Sequence, residues 1–296
     1  VNTVEFTWNL IDNVQAKLPG AEPFWIVRRE KLDELIISKA IALGVKIIQP
    51  FLVSNLKREG KYWVITSNQG ITLLAKAVII ADGSDSLWPK SFGLGPKFRH
   101  KAKTISLRID SRGNLKNGTA RFEFGLVKNG FAWAFPIKEG INIGIGSFIG
   151  NQSIKGEEIL EKLLPSLGVN TSPVKITKKS LNVWNGNHKL HGDGILVVGD
   201  AASLCDPFLA EGLRPALMSG CEAAKYINQW LKGDLKDLSG YSATMKQNWG
   251  ESMAWGRRIS QIFYRFPSIG YQLGIKRPTA PQRIAQILSG EMGYGD

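Results

Sequence analysis

Cysteine, histidine and long apolar runs are all scarce in this chain of 296 residues. Its 2 cysteines are Cys205 and Cys221, and its 3 histidines are His100, His188 and His191. The cysteines match no zinc spacing and the histidines no ligand spacing, so neither a metal centre nor a disulfide framework is expected, and neither thiol is taken as a nucleophile. No stretch approaches the roughly 18 to 20 consecutive apolar residues that cross a bilayer. Val1 to Leu10 lacks a basic segment followed by an apolar one. With reduced thiols and no span, a cytoplasmic chain is expected. Also missing are the zinc-finger, RRM and KH signatures of nucleic-acid binders. A Gly-x-Gly-x-x-Gly after a strand is missing too, since Gly93-Leu-Gly95-Pro96 and Gly144-Ile-Gly146 have the wrong spacing or setting.

What is present is dominated by positive charge. Lys and Arg number 38 against 25 Asp and Glu, a formal net charge of +13. Such an excess suits nucleic acid, an anionic membrane surface or a diphosphate-bearing substrate. The basic residues fall in pairs such as Arg28-Arg29, Lys178-Lys179 and Arg257-Arg258 and form no stripe. No nucleic-acid partner is expected, and peripheral contact with a membrane stays open. A hydrophobic fraction of 43% is ample for a large core.

Residues 31–44 space Leu32, Leu35, Ile36, Ala40 and Leu43 as an amphipathic helix closed by Gly44, with a strand predicted over Val45 to Ile48. A β-meander is predicted from Phe51 to Leu74, with turns at Glu59-Gly60 and Asn68 to Gly70. Two short, wholly apolar runs follow, Ala77 to Ile80 and Ile195 to Val198. Each ends in an acidic turn and reads as a buried parallel strand. Between them lie alternating stretches at Thr104–Ile109, Ala120–Phe124, Phe131–Phe135 and Ile141–Ser147, which predict an inserted antiparallel β domain. Helices are predicted over Gly156–Leu167, Leu213–Leu231, Leu238 through the Arg257 region, and Gln282–Leu288. The fold class is mixed α/β.

Most of the chemistry is concentrated in residues 194–216. A buried strand delivers Asp200 at its carboxyl end, where open α/β sheets place ligands and where a carboxylate can accept hydrogen bonds from sugar-type hydroxyls. Gly212 leaves the mouth of the next helix without a side chain, so backbone N–H groups can approach a negatively charged ligand atom. Pro215 in the first turn costs no hydrogen bond.

The pattern Gly199-Asp200, Pro207, Glu211-Gly212 resembles the C-terminal flavin motif of the p-hydroxybenzoate hydroxylase fold. Two further matches stand in order upstream. Arg29-Glu-Lys-Leu32-Asp33 resembles the R-x-x-L-D helix start, and Ala81-Asp82-Gly83-Ser84-Asp85-Ser86 resembles the ADGxxS segment. Within that fold, Phe131-Ala-Trp133-Ala-Phe135-Pro136 with Gly144-Ile-Gly146, and the closing residues 289–296, resemble the geranylgeranyl reductase family. Phe131 departs from it, standing where tyrosine is common.

The resemblance implies an FAD-dependent oxidoreductase that reduces isoprenoid double bonds, with NADPH or another donor supplying electrons. It implies cofactor contacts at Arg29, Asp82, Gly83, Gly199, Asp200, Pro207, Glu211, Gly212 and Leu213, and a substrate wall at Phe131, Trp133, Phe135 and Pro136. The catalytic proton donor is unassigned. The implied division is a discontinuous FAD-binding domain (1–90 and 191–232), a β substrate domain (91–190) and a helical C-terminal region (233–296). In that fold the missing glycine fingerprint belongs upstream of residue 31, so the first nucleotide-binding unit is expected to be absent, FAD binding weak and a sheet edge bare.

Plainer readings stand beside these. Arg29 could form a surface ion pair, Asp82-Gly83 a structural turn and Glu211 a charge partner of Arg214, while Trp133 and Phe135 suit simple core packing as well as a substrate wall. A flavin monooxygenase or halogenase of the same fold is an alternative activity, and a non-catalytic binding module an alternative of another class.

Overall fold

The computed structural model describes residues 1–18, 25–149, 155–170 and 175–296. The chain opens with a hairpin, β1 (Thr3–Trp8) and β2 (Asp12–Lys17), and continues into helix α1 (Arg29–Ala42). The meander β3 (Val53–Glu59), β4 (Tyr62–Ser67) and β5 (Thr72–Ala75) forms its own three-stranded antiparallel sheet. Strand β6 (Val78–Ile80) and the short helix α2 (Trp88–Ser91) lead to β7 (His100–Ile109), β8 (Thr119–Phe124), β9 (Gly130–Ile137) and β10 (Gly140–Ser147). Then come α3 (Gly156–Ser166), β11 (Lys175–Val183), β12 (His191–Gly192) and β13 (Ile195–Val197). The remainder is helical: α4 (Leu213–Lys232), α5 (Ser239–Met245), α6 (Glu251–Arg265), α7 (Pro267–Gly270) and α8 (Ala280–Ser289), with π-helical turns at Lys246–Gly250 and Tyr271–Ile275.

The two apolar runs pair in parallel as expected, Ile195 beside Val78 and Val197 beside Ile80. They build a three-stranded sheet in the order β12-β13-β6. All of β13 is buried, but Ile79 is 38% exposed, and among the described residues β6 has no partner on its other side.

The antiparallel insert is larger than the sequence implied. Its sheet has seven strands in the order β11-β7-β10-β9-β8-β1-β2. Strand β1 runs parallel to β8, Phe6 opposite Phe122, so residues 3–17 extend this sheet although their position in the chain had grouped them with the cofactor domain. The junction is held by a fully buried carboxylate. Glu123 accepts hydrogen bonds from Thr7 and from the Leu10 N–H (2.9 Å), and pairs with Arg121 at 3.0 Å. A paired buried charge of this kind is costly to break.

Two expectations fail near α1. The helix forms and Gly44 ends it at φ +89°, but none of its residues is buried, and Leu35, Ile36, Ile37 and Ile41 are exposed. Val45 to Ile48 forms no strand, since no described neighbour offers it a ladder of hydrogen bonds.

Candidate functional site

Beyond β13 the chain tightens into a 3₁₀ turn, Gly199–Ala202. Gly199 sits at φ +56°, and a Cβ there would come within 3.2 Å of Ala216 on α4, so glycine is required both for the turn and for the close approach of strand tip to helix. Its N–H donates to Ser219 Oγ at 3.0 Å. Asp200 follows, partly buried, and its carboxylate accepts no hydrogen bond from the described residues. A Cβ on Gly212, at the start of α4, would lie 3.5 Å from Asp200 Oδ1. The strand-tip carboxylate and the helix mouth thus face one another. Burial pushes the Asp200 pKa up from 3.8 to about 6, a rise opposed by the nearby charge of Arg29.

The loop between these residues is held in an unusual shape. Ser203 and Ala210 both adopt left-handed conformations, φ +57° and +55°, which non-glycine residues visit only under constraint. The constraint comes largely from Asp206, which is buried and accepts the N–H groups of Phe208 (2.7 Å) and Leu209 (2.8 Å) and the hydroxyl of Tyr294 (2.9 Å). Burial raises its pKa, and those donors oppose the rise. Glu211 acts locally, its carboxylate accepting the Arg214 N–H at 2.7 Å and so capping the first turn of α4. The Arg214 guanidinium lies over Trp249, 5.1 Å from the ring centre, and forms no ion pair with Glu211. Leu213 is the first residue of α4, and Pro207 lies midway along the loop.

Asn182, which no motif singled out, ties the site together. It is fully buried on β11, and its amide N–H₂ donates to the carbonyls of Ser84 (2.8 Å) and Asp200 (3.0 Å). The large sheet, the Asp82–Ser86 segment and the tip of β13 therefore meet at one side chain, whose Oδ1 is buried without a partner. Asp82 is exposed and Gly83 turns at φ +83° beside a cleft of about 720 Å³, with Lys103, Thr104, Lys178 and Ser180 on its opposite wall. Arg29 pairs with Asp33 at 3.2 Å on the open side of α1, which is the plainer reading of that residue, yet it remains close enough to influence Asp200.

Phe131, Trp133 and Phe135 lie on one face of β9, packed in tilted and edge-on contacts with Phe122, Phe124 and Phe148. Trp133 donates to Asn142 Oδ1 at 3.0 Å, and its indole lies flat over Gly144, where any Cβ would overlap it. Pro136 closes this strand opposite Ile141. None of the four lines the cleft at Pro207. That cleft, about 400 Å³, is walled by Phe148, Trp184, Arg99, His100 and Arg257. Phe131 reaches it only through Phe148, 4.8 Å away between ring centres. Burial, then the charge of Arg257, holds His100 and His188 below the ordinary histidine range. The cleft is cationic and its aromatic wall comes from strand ends, which is why the alternation within β9 did not reveal it.

No family model matches the chain. Curated relatives do. Digeranylgeranylglycerophospholipid reductase of Methanocaldococcus jannaschii is 29% identical over 238 residues, covering 72% of this chain and 59% of that protein. Digeranylgeranylglycerophospholipid reductase 2 of Methanosphaera stadtmanae is 30% identical over 233 residues, covering 75% of this chain and 58% of that protein. Among solved structures, a geranylgeranyl bacteriochlorophyll reductase-like protein from Thermoplasma acidophilum superposes with a TM-score of 0.78 at 20% identity, over 89% of this chain and 71% of its own. The chain is thus similar to reductases of the geranylgeranyl type. It spans about three fifths of the length of the curated relatives it matches. The fold is shared more widely, with a flavoprotein/dehydrogenase from Cytophaga hutchinsonii giving a TM-score of 0.73 at 18% identity over 98% of this chain and 76% of its own.

Proposed function

We propose that the chain forms the flavin-facing and substrate-facing parts of an FAD-dependent oxidoreductase that reduces double bonds of an isoprenoid, geranylgeranyl-type substrate. The observation that carries this reading is the meeting of an unpartnered strand-tip carboxylate, Asp200, with the side-chain-free mouth of α4 at Gly212. The names of the relatives supply the substrate class.

The residues present fit the flavin half of such a cofactor. Asp200 would accept hydrogen bonds from ribityl hydroxyls. The N–H groups at Gly212 and Leu213 would face the negative edge of a reduced ring, since the absence of a Cβ leaves that approach open. Gly199 sets the strand tip against α4, and Glu211 fixes the first turn of that helix. Arg29, Asp82 and Gly83 border the site from the other side, and Pro207 walls the cleft that receives substrate. Bound FAD would supply hydride, replenished by NADPH or another donor. The aromatic face with Phe131, Trp133, Phe135 and Pro136 would back the apolar chain of the substrate, and Phe148 and Trp184 would touch it. We further propose the two-domain division with its helical C-terminal region, the hairpin β1-β2 going with the substrate domain.

The test is product analysis. The chain is incubated anaerobically with FAD, dithionite and a geranylgeranyl-bearing lipid, and the lipid is examined by mass spectrometry. The expected product carries two added hydrogens for each bond reduced. Oxygen-dependent formation of a hydroxylated or halogenated product, or an unchanged lipid in the presence of bound flavin, would refute the assignment.

A further inference from the structure

Along the outer side of the C-terminal helices runs an apolar stripe that the site does not use. Trp255, Ile259, Ile262, Phe266, Ile269 and Leu273 recur at alternating intervals of four and three residues from α6 through α7 into the π-helical turn. Each is exposed, from 37% at Ile259 to 69% at Ile262. The opposite side of the same helices is buried, with Met253, Ser260, Phe263, Tyr264, Tyr271 and Ile275 in the core. An exposed contiguous stripe of this kind marks an interaction surface.

Its charge identifies the partner. From Ser252 to Gly290 the sequence holds six basic residues, Arg257, Arg258, Arg265, Lys276, Arg277 and Arg283, and no acidic one. All but Arg257 are exposed. Two of them lie over the stripe's own rings, Arg258 4.8 Å from the centre of Trp255 and Arg265 5.6 Å from that of Phe266. Aromatic rings and arginines interleaved on one side of a helix suit the boundary between headgroups and acyl chains, the rings entering and the guanidinium groups staying at phosphate level.

We infer that this stripe docks the protein on an anionic lipid surface. The inner side of α6 lends Arg257, Ser260 and Gln261 to the cleft at Pro207. Docking would thus set that cleft one helix thickness from the bilayer in which an apolar substrate dissolves. This link to the cleft rests on the proposed reductase reading, whereas the lipid surface itself does not.

Vesicle flotation separates the two. The full chain is mixed with phosphatidylcholine vesicles, with or without about 30% phosphatidylglycerol. Flotation only with the anionic vesicles, weakened at about 0.5 M salt, is expected. The pair Ile262→Asp and Leu273→Asp should abolish it. The pair Arg258→Gln and Arg265→Gln should weaken it roughly thirtyfold, two surface charges being removed. Near-ultraviolet circular dichroism should show both variants folded, as the substituted side chains are exposed. Absence of flotation, or flotation unchanged by either pair, would overturn the inference. So would light scattering that finds a dimer dissolved by Ile262→Asp, because the stripe would then be a protein interface. Reduction of detergent-solubilised substrate should persist in the Ile262→Asp and Leu273→Asp protein. Its failure in every form of the chain, with flotation intact, would count against the reductase assignment alone.

Discussion

Asp200 sits in an environment that disfavours its charge, and this sets how its contribution to stability varies with pH. Its pKa rises from 3.8 to about 6 on folding, so the protonated form is favoured in the folded chain. That contribution is complete below about pH 4 and is lost as pH rises through 6. Asp200→Asn should therefore melt at a higher temperature than the parent at neutral pH, with little difference near pH 4. The shift corresponds to roughly 3 kcal/mol at most, discounted to about 1–2 kcal/mol because the carboxylate is partly solvated. Flavin binding should follow the opposite trend. Only the ionised group is purely an acceptor, so affinity should fall as pH drops through 6, and a titration at pH 5 and pH 8 would reveal it.

Gly212 offers a cleaner separation of fold from ligand. Its φ of −122° suits any residue, and an added Cβ would meet only ordinary contacts, 3.5 Å from Asp200 Oδ1 and 3.7 Å from Cys205 Sγ. Gly212→Ala should thus leave the melting temperature within a few degrees of the parent and weaken flavin binding by about tenfold, since a methyl group then stands where the ligand must approach. A large stability loss with unchanged binding would make the glycine a structural residue.

At the scale of elements, the C-terminal helices act as a clamp on the loop that carries the site. Tyr241 donates to the carbonyl of Val197, Trp249 to that of Leu204 and Tyr264 to that of Phe208, at 2.9 to 3.0 Å. The tail adds Tyr294, whose hydroxyl bonds both oxygens of Asp206. Tyr294→Phe keeps the ring and removes the donor, so the buried carboxylate loses part of its compensation. A loss of about 1–3 kcal/mol is expected in chemical denaturation. The Gly199–Gly212 motif and the tail both stood out in the sequence, but not the bond between them, because the sequence separation of Asp206 and Tyr294 carries no periodic signal. Asn182 escaped for the same reason, its value lying in two carbonyls that only the folded chain brings together.

Legibility was greatest where the pattern is local. Alternation located β7 to β10 of the large sheet, and Gly44 marked the end of α1. It was least where pairing partners decide: Val45 to Ile48 has the composition of a strand and no ladder, and β1 and β2 join a sheet whose remaining strands begin about a hundred residues later. Of the proposed site residues, the fold brings Gly199, Asp200, Glu211, Gly212 and Leu213 together, with Arg29 within electrostatic reach, and leaves the β9 aromatics outside the cleft, Phe131 one ring behind it at Phe148.

For the molecule as a whole, exposed apolar side chains are concentrated on α1 and reach the β6 strand at Ile79. The β6 edge, unpaired among the described residues, and the exposed Leu35, Ile36, Ile37 and Ile41 of α1 each invite association. Light scattering across a concentration series should show self-association that Ile79→Lys reduces, since a charge on an edge strand opposes strand addition. The proposed cofactor site lies in the more fully packed region between β13, α4 and β11, and so should form without that surface being covered. FMN contains the ribityl chain and ring but no adenosine, so it reports on this region alone. Titrating the chain with FMN and with FAD, following flavin fluorescence, is the decisive measurement. Saturable quenching by both is expected, weakened about tenfold or more in Asp200→Ala and in Gly212→Ala. No saturable quenching, or equal quenching in parent and variants, would contradict the assignment of this site to a flavin.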